Sequence, residues 1–187
     1  MTSKLKLNRY EEDIYRSCAD TTNLQRFKNS SLRSGLLFVL VFGILTFKMQ
    51  LNIWIIGVLA AYAVILLLEI SRLAYLLGTT REVYSKVVTQ LFEATKMPEL
   101  EAEAEQSHNR AIEKNLLRNG KLLAAFYVAV LFALYLLNVT YMNYFVGGAT
   151  VLTVLLTLRL KIVGANSLIQ YKRAICRHGS TLEEMER

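Results

Sequence analysis

The chain has 187 residues, of which 53% are hydrophobic and 22 are lysine or arginine; it carries a net charge of +7 and a single proline, Pro98. Its mean hydropathy is positive, and the apolar residues gather in four blocks, 35–47, 53–68, 122–137 and 145–158, that contain no Asp, Glu, Lys or Arg. Helices apolar on every side are buried in a large protein or in lipid, and a chain this small cannot cover four of them, so a soluble globular domain is excluded as the expectation.

The first segment, 1–33, is polar and basic, with no apolar core of the kind a cleavable signal peptide needs. Tyr10, Ile14 and Cys18 recur at helical spacing, which predicts an N-terminal amphipathic helix. The second segment, 34–71, reads as a membrane hairpin whose tip, 48–52, carries only Lys48 and is followed by Trp54. Gly57 and Ala61, four residues apart, form a ridge that lets helices approach closely. Glu69 and Arg72 stand three apart at its exit, on one helix face, as membrane-edge charges.

The third segment, 72–120, is expected to be a helical linker. Val83, Tyr84, Val87, Val88, Leu91 and Phe92 make a stripe at helical spacing. For such stripes three uses compete, packing on one another, lying on the lipid surface and meeting a partner, and this one is taken as a partner or lipid-surface face. Pro98 breaks the pattern. The alternating Glu and Leu/Ala that follow predict a second linker helix over 99–117, ending near Gly120.

The second hairpin, 121–158, carries Ala125, Ala129 and Ala133 on one face and Thr150, Thr153 and Thr157 on another, both read as helix-packing surfaces. Tyr135, Tyr141, Tyr144 and Phe145 around its tip, 138–144, suit an interfacial belt. The tail, 159–187, opens with Arg159 and Lys161, expected to anchor the fourth helix to headgroups. Its Leu168, Tyr171 and Ile175 form another amphipathic stripe.

Each hairpin is 38 residues long, so two antiparallel legs reach roughly 25–28 Å, just under a hydrocarbon core of about 30 Å. The expected fold class is therefore an all-α membrane protein: four short transmembrane helices in two hairpins, with amphipathic helices outside. Seven basic residues lie in the N-terminal segment, eight from Glu69 to Lys121 and six from Arg159 onward, leaving 21 of 22 on one side. The positive-inside rule then places both termini and the linker in the cytosol, in a bacterial inner membrane or an endoplasmic reticulum.

The halves also read as copies. Ser-Leu-Arg-Ser-Gly at 31–35 parallels Leu-Leu-Arg-Asn-Gly at 116–120, and Val-Tyr-Ser-Lys at 83–86 parallels Gln-Tyr-Lys-Arg at 170–173, the signature of an internal repeat. An even number of spans makes such copies parallel rather than inverted.

Little chemistry is written in the sequence. His108 and His178 have no set of partners at zinc-ligand spacing. Cys18 and Cys176 stand in segments expected to be reducing. Gly147-Gly148 lacks the Lys-Ser/Thr of a phosphate loop, and no Gly-x-Ser-x-Gly occurs. No catalytic residue, metal or cofactor is therefore expected. The positive charge belongs to tails beside a membrane rather than to a compact run for nucleic acid.

The reading is a non-enzymatic scaffold or subunit that forms a homo-oligomer and presents cytosolic helices to a protein partner. Two alternatives stand beside it. The 38-residue hairpins flanked by amphipathic helices resemble the layout of reticulon-type membrane-shaping proteins, a likeness of layout carried by no motif. The other is a small oligomeric channel or a membrane sensor, for example of a bacterial defence or stress system.

Overall fold

In a computed structural model the described residues are 7–18, 53–137 and 142–185, with isolated positions 26, 29, 33 and 37. The continuous stretches form five helices and no strand: α1 Arg9–Ser17, α2 Ile53–Thr95, α3 Pro98–Ser107, α4 Ala111–Leu137 and α5 Met142–Met185. The apolar block 35–47 (apart from Leu37), Lys48, the side chain of Trp54 and the second tip at 138–141 lie outside the described residues.

Three helices, α2, α4 and α5, are long and apolar enough to cross a membrane, which suggests a membrane protein; a fourth span is not among them. They are not short. α2 and α5 have 43 and 44 residues, about 65 Å each at 1.5 Å per residue, and α4 has 27, about 40 Å. Their apolar stretches are as brief as the sequence implies, but each is one portion of a longer rod. Nothing at Arg72 or Arg159 breaks a helix, since arginine is a good helix former, so the chain passes through these charges without turning. The divisions expected at 71/72, 120/121 and 158/159 all fall inside continuous helices.

The linker helix expected over 99–117 is also redrawn. α3 ends at Ser107, and α4 begins at Ala111, whose N–H donates to the Asn109 side chain at 2.9 Å. Gly120 lies within α4, not at its end. The break between α2 and α3 is where Pro98 placed it. Lys96 adopts a left-handed φ of 55° and its N–H caps α2 on the Phe92 carbonyl at 2.7 Å, after which Pro98 opens α3.

Three buried clusters stack along the rods and fix their directions. Ile56, Leu59 and Ala63 meet Tyr127, Leu131 and Val146 at the apolar end. Ile70, Leu73, Ala74 and Leu77 meet Leu116 and Leu168 at the waist. Val83, Val87, Val88 and Leu91 meet Ile175, Leu182, Leu100 and Cys18 at the polar end. α2 and α5 therefore run parallel and pack on each other, with α4 antiparallel to both. At the waist two glycines set the spacing: a Cβ on Gly120 would stand 2.9 Å from Ile70, and one on Gly164 would stand 2.7 Å from Leu73.

The two ends have opposite exteriors. Around the apolar end Val64, Ile65, Leu68, Phe126, Phe132 and Leu155 are exposed. At the polar end α1 and α3 cover α2 and α5, and the outer surface is charged.

Candidate functional site

The expectation that Val83, Tyr84, Val87, Val88, Leu91 and Phe92 face a partner or lipid is corrected by their burial. Val83, Val87 and Val88 are fully inaccessible, Tyr84 and Leu91 are buried, and Phe92 packs against the same cluster. The stripe is the core of the polar end. Burying a valine gains about 1.5–3 kcal/mol, and α1, α3 and the lower half of α5 supply that cover within the chain.

Polar side chains tie this cluster together. The Tyr84 hydroxyl donates to Glu103 Oε1, and His178 Nε2 lies 3.0 Å from the same oxygen. Tyr84 also faces the Tyr171 ring, with centroids 5.3 Å apart. Burial opposes the charge on Glu103, but the hydrogen bonds from Tyr84 and His178 outweigh it and hold its carboxyl below the usual range. Burial, then the adjacent carboxylate, push the Tyr84 phenol well above its ordinary value. α1 is moored by Lys86 Nζ to Glu11 at 2.5 Å and by Lys172 Nζ to the Ser17 carbonyl at 3.2 Å. Cys18 is buried, which raises its thiol to about 11; such a thiol is a small hydrophobe, not a nucleophile.

Between waist and polar end sits an ion pair that sequence reasoning missed. Arg81 and Glu113 have side chains only 5% and 10% exposed, with Nε 2.7 Å from Oε1. Arg81 Nη1 also donates to the Ser107 carbonyl at 3.1 Å, so one guanidinium joins α2 to the end of α3 and the start of α4. The Nε–H does not point along its contact, and neither Glu113 oxygen completes a hydrogen bond. The pair is electrostatic.

At the membrane-edge positions, Glu69 pairs across the bundle with Lys161 rather than with Arg72. Lys161 is thus buried and not a headgroup anchor, which corrects its expected role, while Arg72 and Arg159 are exposed. Thr150, Thr153 and Thr157 are buried. Thr150 shares a 2.7 Å hydrogen bond with Tyr127 and, like Thr157, also bonds the carbonyl four residues back. The void beside Thr153 and Thr157 is about 10 Å³, room for at most one water.

The other packing ridges point outward: Gly57, Ala61, Ala125, Ala129 and Ala133 are exposed, and nothing stands within 4 Å of a Cβ built on Gly57. Close approaches are made instead by Gly120 and Gly164 at the waist and by Gly179 against Tyr15 at the polar end. An isolated glycine inside a helical pattern marks such contacts, and that signal was present in the sequence. Between α4 and α5 an apolar groove of about 280 Å³ is lined by Phe126, Val130, Leu134, Phe145 and Leu152, among others, with Tyr127 and Thr153 as its polar members. It offers dispersion contacts and no reactive group.

Comparisons with protein-family models, with curated proteins and with solved structures return no match.

Proposed function

We propose that this protein is a non-enzymatic membrane scaffold that carries a rigid helical platform at the membrane surface. The observation behind this reading is that α2 and α5 leave the apolar section without a break and become the core of the polar end. A load on the polar end is then borne by the membrane helices through continuous backbone hydrogen bonding. The platform is taken to be cytosolic with both termini, on the placement of 21 of 22 basic residues. Its partner-facing surface is the charged exterior of α1, α3 and the end of α5, since the apolar stripe is spent on the internal core.

Self-association is assigned to the exposed Gly57–Ala61 ridge on α2. The repeat belongs to the same proposal. α1 and α3 have 9 and 10 residues, α2 and α5 have 43 and 44, and Tyr84 faces Tyr171, its counterpart in the sequence match. The buried, internally bonded threonine face and the small void beside it favour the scaffold over a pore within one chain. Rods longer than a bilayer favour it over leaflet wedges.

Reconstitution in vesicles tests the reading. A defined oligomer, with vesicles left round and impermeable to ions, is the expected result. Tubulation would support membrane shaping, and ion flux a channel; either would overturn it.

A further inference from the structure

We propose that the outward face of α4 binds an anionic phospholipid, with headgroup phosphate against Lys114, Arg118 and Lys121 and an acyl chain along Ala125, Ala129 and Ala133. These residues follow one another at spacings of three and four, so they form one continuous stripe on the helix. All six are exposed, and the three cations make no ion pair or side-chain hydrogen bond with the described residues.

The stripe changes character at one level. Its cations occupy about 10 Å of helix axis, and they stop where the charge-free block begins at Leu122. By the same geometry the exposed Phe126 and Phe132 flank the alanines, one on either side, leaving a shallow furrow for an acyl chain. The position of the acidic residues sharpens the site. The single carboxylate of α4, Glu113, is turned inward onto Arg81, and Glu69 on α2 is held by Lys161. The outer face at this level is left uniformly positive, beside apolar surface, which is the charge pattern of an anionic headgroup's partner.

A second copy fits less well. A symmetric contact between two α4 faces about an axis along the membrane normal would set each cation level with its like-charged counterpart, a costly arrangement. A lipid phosphate satisfies the same residues.

The inference rests on the apolar section lying in a bilayer, which sedimentation with the membrane fraction checks separately. The test offers delipidated full-length protein an equal mixture of phosphatidylglycerol and phosphatidylcholine and counts bound lipids by native mass spectrometry. The parent chain should prefer phosphatidylglycerol. R118Q/K121Q should lose about fivefold of that preference per cation removed, while unfolding in neutral lipid at the parent's temperature, because both side chains are exposed. R173Q/R177Q, with the same charge change at the polar end, should keep the preference. Equal binding of the two lipids by the parent, or equal loss in both variants, would overturn the site. So would cross-linking of two copies through a cysteine placed at Ala129.

Discussion

The apolar and polar ends are held together by different forces although the same two helices build both. At the polar end, Val83, Val87, Val88 and Ile175 are fully buried under helices whose outer faces are charged, so burial there is drawn from water and the hydrophobic effect applies in full. At the apolar end the exterior of Phe126, Phe132 and Leu155 is as apolar as the interior of Leu59 and Leu131. With lipid around it, packing and hydrogen bonding remain as the cohesive terms. Core burial therefore does not report the same energy along one helix.

The largest expected effect lies between the two ends. R81M or E113L alone leaves a buried charge without its partner and should cost about 3–5 kcal/mol. The apolar double variant R81M/E113L should recover most of that. Thermal unfolding of the four chains as a double-mutant cycle checks it, and additive losses would remove the pair's role as the junction.

Leu91→Ala at the polar end should cost about 2–5 kcal/mol. Leu59→Ala, equally buried at the apolar end, should cost clearly less in a bilayer, because its transfer from lipid gains little. Equal losses in nanodisc unfolding would break the contrast.

Tyr127→Phe removes the hydrogen bond to Thr150 and should cost about 0.6 kcal/mol, the average for such bonds between membrane helices.

The polar end should respond to acid through Glu103. The carboxyl of Glu103 sits below its ordinary value of 4.5 in the folded chain. Its contribution is complete above that unfolded value and is lost as pH falls through the lower folded one. Unfolding temperature followed from pH 7 downward should show this loss, and E103Q should flatten it. One substitution should gain stability: Lys96→Gly relieves the left-handed residue that caps α2 and should add up to about 1 kcal/mol, read as a raised unfolding temperature.

Much of this was legible from residue order. The charge-free blocks at 53–68, 122–137 and 145–158, the break at Pro98 and the amphipathic stripe over 83–92 all follow from local pattern, and each corresponds to a feature of the fold. Helix continuity through Arg72 and Arg159 was not legible. Charges at a membrane edge invite a division there, although nothing in the backbone requires one. The partner of each buried charge was also hidden, because Arg81 with Glu113 and Glu69 with Lys161 meet only through the register of packed helices. The stripe over 83–92 was misassigned for a related reason: an amphipathic face does not say whether its cover comes from the same chain. Gly120 carried a signal that admitted two meanings, a helix end or a close approach, and packing against Ile70 selects the second.

Amide hydrogen exchange of the protein in nanodiscs, followed by mass spectrometry across 66–80 in α2 and 158–172 in α5, tests most directly whether the membrane helices and the polar platform are one rigid body. Slow exchange running without interruption through Arg72 and Arg159 is the predicted result. A fast-exchanging stretch at either arginine would mark a hinge and contradict the rigid scaffold.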